Sequence, residues 1–252
     1  LLYSPGSEPG ELRAVPHSRR TVGAAAASFG VGLLDLRAWD RVLSVARLST
    51  AYGLGGLLLP LAAGGEVLLH PDQAHSSSVF DLIARHAPTV LMATPSLYGQ
   101  LARDAEAAGL APPLASLRLA VAGAEGMPEQ LVPRIRAALG TEVLVGFGLT
   151  ELFQFAFAGR SDDPGGRPGA CGRPLPGVEV RLVDDDGDPV GVDEIGTLEL
   201  RAGSLCDGGW PSAGGGETVR ADGFFTTRDR FLVDAQGAYH HCGRVDELDP
   251  AR

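Results

Sequence analysis

Residues 142–152 read EVLVGFGLTEL, an apolar run interrupted by two glycines and closed by a threonine and a glutamate. The run predicts a strand over 142–148 and then a flexible turn, which presents the hydroxyl of Thr150 together with the carboxylate of Glu151. An ordinary strand-to-loop junction has the same pattern, so this stretch alone does not decide between a structural and a binding role. The neighbouring segments supply the context.

Strands and helices alternate upstream of this stretch. Short apolar runs predict buried strands at 66–70, 89–94 and 117–123. Segments of helical character separate them, at 21–36, 78–87, 96–109 and 127–140. We expect Ser96 to cap the third of these helices and Gly109 to end it. Strand–helix–strand at this spacing predicts parallel βα units, which bind ligands at the carboxyl ends of their strands.

The pattern of apolar and polar residues changes after Gly159. A loop-like segment is followed by three runs that alternate apolar and polar residues around Asp/Gly turns, namely VEVRLVDDDGDPV, GTLELRAG and FLVDAQGAYHH. This alternation is typical of antiparallel hairpins. The sequence therefore predicts an α/β part with a parallel sheet over 1–158 and a small β-rich part over 159–252.

The composition and charge of the sequence argue against several classes of function. A net charge of −10 argues against a nucleic-acid surface, and the longest apolar stretch, 54–63, is too short to cross a bilayer. No charged-then-apolar leader opens the sequence and the three cysteines form no CxxC pair, so we expect a cytoplasmic protein with reduced thiols. All 21 basic residues are arginine, which excludes any mechanism that needs a lysine from these residues.

Five motifs in a fixed order carry a family resemblance: VGFGLTE, GACGRPLPGVEVRLVD, GTLELRAG, GFFTTRDRF and GRVDE. In this order and spacing the chain resembles the adenylate-forming superfamily, which includes acyl- and aryl-CoA ligases and the adenylation domains of nonribosomal peptide synthetases. Segments 1–18 and 51–69 are similar to the benzoate-CoA-ligase branch. The resemblance implies an adenylate-forming core that uses ATP, AMP and Mg²⁺ to activate an aryl or short acyl acid.

The resemblance also implies roles for individual residues. Thr150 contacts the α-phosphate and Glu151 helps to hold Mg²⁺, while Arg13 stands roughly where the family has the lysine of its phosphate loop. Asp229 takes the ribose hydroxyls and Arg244 supports it. The remaining nucleotide-binding positions are Ser4, Gly6, Ser7, Ala124, Glu125, Gly146, Phe147 and Gly148. The acyl pocket is assigned to Tyr52, Gly53 and Gln154.

Several departures from the family pattern fall in the catalytic motifs. In SPGSEPGELR, at 4–13, Pro5 and Pro9 remove backbone donors, and Glu8 and Glu11 place negative charge beside a polyanion. Arg228 replaces a small glycine before the ribose aspartate, a position from which it could fill the ribose corner. The sequence ends at the family's hinge, so we expect the mobile C-terminal domain, with its catalytic lysine, to be absent.

Three hypotheses follow from these features. In the first, the chain is a degenerate, non-catalytic adenylation-like domain that serves as a structural or docking element of a polyketide or peptide assembly line. In the second, it is a working ligase completed by a partner chain. In the third, it is a fragment of a longer ligase. We favour the first. The expected partners are an acyl carrier protein, other assembly-line domains or a second copy, and neither a nucleic acid nor a membrane.

Two other motifs have weaker support. His240, His241 and Cys242 could ligate zinc, but no second ligand pair lies at metal spacing, so a strand end is the preferred interpretation. The glycine-rich YGLGG at 52–56 lacks the acidic residue that a dinucleotide fingerprint requires.

Overall fold

The chain folds into a mixed α/β structure with two main sheets and a short hairpin. The computed structural model describes residues 1–5, 12–70, 74–109, 116–160, 170–207 and 219–245. The predicted fold class, parallel βα units followed by an antiparallel β part, is confirmed. No helix in the described part of the chain has the length and apolar character that a membrane crossing requires.

Within the described residues, the larger sheet contains seven strands. They are β3 (Arg41–Ser44), β4 (Glu66–Leu69), β5 (Val90–Ala93), β6 (Leu119–Ala122), β7 (Glu142–Leu149), β8 (Gln154–Arg160) and β9 (Arg173–Pro174). Their spatial order is β4-β3-β5-β6-β7-β8-β9. The strands from β4 to β7 are parallel, whereas β8 and β9 add to the edge in antiparallel fashion. The carboxyl ends of β5, β6 and β7 therefore meet at one edge of the sheet.

Helices cover both faces of this sheet. They are α1 (Arg19–Ala25), a π-helix (Ala26–Leu33), α2 (Ala51–Ala62), α3 (Ser76–His86), α4 (Pro95–Ala108) and α5 (Leu131–Leu139). Successive residues of the strands point to opposite faces, so Val90 and Met92 pack in one hydrophobic cluster and Leu91 and Ala93 in another. Burial on both faces explains why these strands are continuous apolar runs rather than alternating ones.

The smaller sheet is antiparallel and follows the chain order. Its strands are β10 (Val178–Val183), β11 (Gly196–Ala202), β12 (Phe225–Val233) and β13 (Tyr239–Arg244). The predicted hairpins are thus confirmed. Phe231 of this sheet and Phe157 of the larger one belong to the same core, with ring centroids 5.1 Å apart. The chain passes from the larger sheet to the smaller one between Pro174 and Val178. The domain boundary predicted between residues 158 and 159 stays a prediction.

The start of the chain forms a hairpin where the sequence indicated only a phosphate-binding loop. Strands β1 (Leu2–Pro5) and β2 (Leu12–Val15) pair in antiparallel fashion, with Ser4 opposite Arg13. Two strands of four residues each give too little periodicity to be recognised in a sequence. Residues 6–11, which carry the predicted Gly6 and Ser7, lie outside the described part.

Some predicted elements differ in extent or environment. The helix expected over 21–36 is α1 followed by the π-helix. Strand β4 was expected to be buried, but it lies at the edge of the sheet with Glu66 and Leu69 exposed. Strand β3 and helix α2 were not predicted, because RVLS at 41–44 has polar residues at both ends and α2 is rich in glycine.

Two helix starts also differ from expectation. Helix α4 begins one residue earlier than predicted, at Pro95, and its cap is Thr94 rather than Ser96. Proline suits the first position of a helix because its missing amide has no partner there in any case. Helix α5 begins at Leu131 rather than near residue 127. Gly109 ends α4, as predicted, and it does so in the left-handed conformation.

Candidate functional site

The first part of the site is the turn that follows β7. The amides of Leu152 and Phe153 bond to the carbonyls of Leu149 and Thr150, and Phe153 adopts a left-handed φ of 60°. The His17 Nε2 lies 2.8 Å from the carbonyl oxygen of Thr150 and donates to it. Burial lowers the pKa of His17, so the ring is neutral near pH 7. The backbone of the predicted α-phosphate residue is thereby held by a histidine that the sequence did not single out.

Glu151 on the same turn is buried and already bound by the chain itself. Its Oε1 accepts a hydrogen bond from Arg13 Nη2 at 2.5 Å and a longer one from Ser4 Oγ at 3.3 Å. Arg13 Nη2 also lies 3.4 Å from Ser4 Oγ. Three predicted residues from opposite ends of the α/β part therefore meet, because the β1–β2 hairpin places Ser4 and Arg13 side by side.

Glycines beside this turn make room for Phe155 of β8. A Cβ on Gly146 would lie 1.9 Å from the Phe155 ring, and one on Gly123 would lie 2.4 Å from it. A Cβ on Gly148 would lie 2.7 Å from the carbonyl oxygen of Gln154. The glycines of GFG are thus required by the neighbouring strand. Their predicted contact with a nucleotide base stays a prediction.

Phe155 lies between two other aromatic rings. Tyr52 stacks on it with centroids 5.7 Å apart, and Phe29 lies 4.7 Å away on a tilted plane. The Tyr52 hydroxyl donates to the carbonyl of Val121 at 2.8 Å, and burial raises its pKa. Tyr52 is therefore anchored at the carboxyl end of β6, next to the predicted nucleotide segment.

The other two predicted acyl-pocket residues have different surroundings. A Cβ on Gly53 would lie 2.1 Å from the carbonyl oxygen of Arg47, so this glycine allows α2 to pack against the preceding loop. Gln154 is buried, and its Oε1 has no hydrogen-bond partner among the described residues. The assignment of Tyr52, Gly53 and Gln154 to an acyl pocket stays a prediction.

Ala124 and Glu125 follow β6. Ala124 has a left-handed φ of 69°, which turns the chain away from the sheet. The Glu125 carboxylate accepts bonds from the amide of Ser96, at 3.0 Å, and from the Ser96 hydroxyl. The positive N-terminal end of the α4 dipole stabilises a carboxylate at this position. Glu125 therefore has a structural role at the start of α4, and its predicted place beside adenine stays a prediction.

The second part of the site is Asp229 on β12. It is 3% exposed, and its Oδ1 accepts a hydrogen bond from His241 Nε2 at 3.0 Å. Its Oδ2 has no hydrogen-bond partner among the described residues, and Arg244 Nη1 lies 4.0 Å from it. Arg228 precedes Asp229 on a strand whose residues alternate in burial, so it faces the other side. The expectation that Arg228 could fill this corner stays a prediction.

Phe147 connects the two parts of the site. It lies on β7, and its ring stacks on His241 with centroids 5.3 Å apart and meets Phe231 edge-on at 4.9 Å. The predicted nucleotide residues on β7 and β12 thus border one another. His17 was not singled out in the sequence, and His241 was considered there only as a possible zinc ligand. Its proximity to the GR pair at 243–244 is the only signal that could have pointed to it.

The described residues fit a nucleotide better than an independent metal site. No group of three or more His, Cys, Asp or Glu side chains within the described ranges could hold an ion. A nucleotide-bound Mg²⁺ needs only one or two carboxylates, because phosphates and waters supply the other ligands. Glu151 has this chemistry. The Asp229 carboxylate, buried with one oxygen unpartnered, lacks a hydrogen-bond donor of the kind a ribose hydroxyl provides.

Comparison with known proteins identifies relatives of the chain. The sequence model of a family of AMP-binding enzymes matches residues 1–209. The chain is 34% identical to an anthranilate–CoA ligase of Pseudomonas aeruginosa, over 98% of this chain and 47% of that protein. It is 30% identical to a benzoate–CoA ligase of Thauera aromatica, over 98% of this chain and 46% of that protein.

A solved structure gives the same result. The crystal structure of the anthranilate CoA ligase AuaEII in complex with anthranoyl-AMP superimposes with a TM-score of 0.86 at 33% identity. The match covers 96% of this chain and 46% of that one. The chain thus spans about half of the length of the relatives that it matches.

Proposed function

The chain belongs to the family of AMP-binding, adenylate-forming enzymes, in the benzoate-CoA-ligase branch, and from that premise we propose that it binds the adenylate of an aromatic acid without forming it efficiently by itself. It is an adenylate-forming ligase-like domain. Binding and catalysis depend on different parts of the site. In the ribose corner, formed by Asp229, His241 and Arg244, the Asp229 carboxylate can accept a hydrogen bond from a ligand. On the phosphate side, formed by Ser4, Arg13 and Glu151, the Glu151 carboxylate is bound by the chain's own groups.

The observation that carries the binding half is the unpartnered Oδ2 of Asp229. A buried acceptor without a donor costs about 1–3 kcal/mol, and a ligand hydroxyl that donates to it would remove much of that cost. The ribose of AMP offers two neighbouring hydroxyls. Arg244, 4.0 Å away, is close enough to favour the charged carboxylate without satisfying its hydrogen bond.

The observation that carries the catalytic half is the ion pair between Arg13 and Glu151. Adenylation requires in-line attack of a carboxylate on the α-phosphorus, and catalysis depends mainly on positioning and on neutralising phosphate charge. Mg²⁺, when bound, supplies part of that neutralisation. In this chain the Arg13 cation is already paired at 2.5 Å, and no lysine is present among the 252 residues to replace it.

A working ligase is the second candidate, and one observation favours it. Arg13 keeps a cation against Glu151 and Ser4, at roughly the position where the resemblance places the loop lysine. Segments or a partner chain that supply further cations would then complete the site. Loss of one electrostatic stabiliser commonly slows an enzyme by about 10²–10³, so a single replacement does not abolish activity.

Pyrophosphate exchange separates the two candidates. We expect no acid-dependent exchange above background from this chain with ATP, Mg²⁺ and a panel of benzoates and short acids. Robust exchange that disappears in Glu151→Gln would establish the ligase and contradict the non-catalytic proposal.

The aromatic class of acid follows from the surroundings of Phe155. Rings from Tyr52 and Phe29 flank it, and the buried Gln154 amide oxygen could accept a donor from a substituted ring. Relatives named for anthranilate and benzoate support the same class. Thermal melting with benzoyl-AMP and acetyl-AMP analogues tests it, because a ligand that binds only the folded state raises Tm. An equal rise with both analogues would reject aromatic selectivity.

The expected partners are an acyl carrier protein, other domains of an assembly line, or a second copy of this chain, acting in the cytoplasm. Leu1, Tyr3 and Leu12, on or next to the first hairpin, are each more than half exposed, and strand β4 has a neighbouring strand on one side only among the described residues. Exposed apolar side chains and sheet edges favour association. A monodisperse monomer in light scattering that melts cooperatively would contradict this part of the proposal.

A further inference from the structure

The hairpin of β12 and β13 contains an irregularity next to Asp229. Asp229 pairs with Arg244, and Phe231 pairs with His241, so three steps along β13 oppose two steps along β12. On a regular strand His241 and Arg244 would face opposite sides, because side chains alternate. The extra residue puts both on the side of Asp229. Gly243, with φ of +105°, supplies the left-handed backbone that this bulge requires.

The bulge places His241 against Asp229 in a defined orientation. The His241 Nε2 donates to Asp229 Oδ1 at 3.0 Å, while its ring stacks on Phe147 and meets Phe231 edge-on at 5.1 Å. The aromatic contacts restrict the imidazole ring, and the hydrogen bond in turn restricts rotation of the carboxylate. The second oxygen of Asp229 is consequently held away from His241.

We propose that His241 is a positioning residue for ribose recognition: it fixes the Asp229 carboxylate so that Oδ2 accepts a hydrogen bond from a ribose hydroxyl, and it thereby makes the site select ribonucleotides over deoxyribonucleotides. This inference rests on the proposed binding of an adenylate. A site built around a hydroxyl rejects the analogue that lacks it, because the buried acceptor then stays unpaired. A carboxylate free to rotate would adapt to either sugar and lose the selectivity.

The same strand offers a matched control. His240 donates to Asp234 at 2.9 Å, and Asp234 also accepts bonds from the amides of Gln236 and Ala238. This second histidine–aspartate pair stabilises the hairpin, and its hydrogen bonds among the described residues involve no predicted nucleotide residue. If His241 had only a comparable stabilising role, substitution of either histidine would change Tm and leave ribose selectivity intact.

The experiment measures dissociation constants of AMP, 2′-deoxy-AMP and 3′-deoxy-AMP by calorimetry. His241→Phe keeps the ring contacts and loses the donor, whereas His241→Gln keeps a donor. We expect the wild-type chain to prefer AMP to at least one deoxy analogue by about tenfold, the size of one hydrogen bond to a charged acceptor. His241→Phe should bring this ratio to near one, and His241→Gln and His240→Gln should keep most of it.

The outcomes are distinguishable. An unchanged ratio in a folded His241→Phe variant, or an equal loss of selectivity in His240→Gln, overturns the inference while leaving adenylate binding in place. Absence of AMP binding by the wild-type chain overturns the proposed function and, with it, this inference. If His241→Phe does not fold, His241→Met removes the donor with a more adaptable side chain and gives the same test.

Discussion

The two carboxylates of the candidate site differ in what the chain provides for them. Glu151, beside the predicted phosphate position, already accepts bonds from Arg13 and Ser4. Asp229, beside the predicted ribose position, has His241 on one oxygen and no hydrogen-bond partner among the described residues on the other. We therefore propose that this site binds a product-like nucleotide while its groups for charge neutralisation are engaged internally.

The largest expected effect comes from the ion pair. Arg13→Ala should destabilise the fold by about 3 kcal/mol, because it leaves Glu151 charged and buried without its partner. Arg13→Ala combined with Glu151→Gln should recover much of that loss, since the uncompensated charge is then gone. Urea denaturation measures both variants. A cost below about 1 kcal/mol for the single variant would mean that the pair is well solvated and that Glu151 is available to a metal.

The second contrast is between the two aspartates of the β12–β13 hairpin. Asp234 has three hydrogen-bond donors, so Asp234→Asn should cost about 1.5 kcal/mol. Asp229→Asn should change stability by less than about 0.5 kcal/mol, because it removes a buried charge that is only partly satisfied. Chemical denaturation tests the order, and the opposite order would show that Asp229 is a structural residue.

Gly243→Ala probes how the bulge assembles the ribose corner. A non-glycine residue at φ of +105° is strained, and we expect a loss of about 1–2 kcal/mol together with weaker AMP binding. Gly177→Ala is the control, because Gly177 also has positive φ, 78°, and a Cβ there meets no neighbour. It should show strain without loss of affinity. Equal affinity losses would indicate a general effect of destabilisation.

The smallest expected effect is on the pH dependence of stability. Burial by itself would raise the pKa of Asp234, but hydrogen bonds from His240 and from the amides of Ala238 and Gln236 outweigh it and lower the pKa. The contribution of Asp234 to stability is therefore present above the ordinary aspartate pKa of about 3.9 and is lost as pH falls through the lower, folded-state value. The stability gap between wild type and Asp234→Asn should shrink on acidification, and a gap that widens would contradict this assignment.

The sequence predicted the parts of the fold that repeat a pattern. Apolar runs such as 89–94 and 117–123 identified the parallel strands because both faces of the sheet are covered, and alternation identified the hairpins. Strand β3 was missed because RVLS at 41–44 has polar residues at both ends and so forms no continuous apolar run. The π-helix was missed because its small residues are equally compatible with an α-helix.

The residues of the candidate site likewise fall into those that sequence motifs identified and those that were missed. Ser4, Arg13 and Glu151 came from motifs and do meet in the structure, as do Asp229 and Arg244 on paired strands. His17 and His241 were missed because their roles depend on tertiary contacts, the first with a carbonyl on β7 and the second through a bulge. A bulge reverses the facing of every later residue, so alternation in the sequence cannot reveal it.

We propose that the residues around Asp229 still bind a nucleotide whereas those around Glu151 do not, and calorimetric titration with AMP and with ATP–Mg²⁺ measures this difference. A few hydrogen bonds of about 0.5–1.5 kcal/mol each give weak binding, near millimolar, so we expect AMP to bind at that level and ATP–Mg²⁺ to bind more weakly. Asp229→Ala should abolish AMP binding. Tight binding of ATP–Mg²⁺ with none of AMP would contradict the account, because the phosphate side would then be the part that holds the nucleotide.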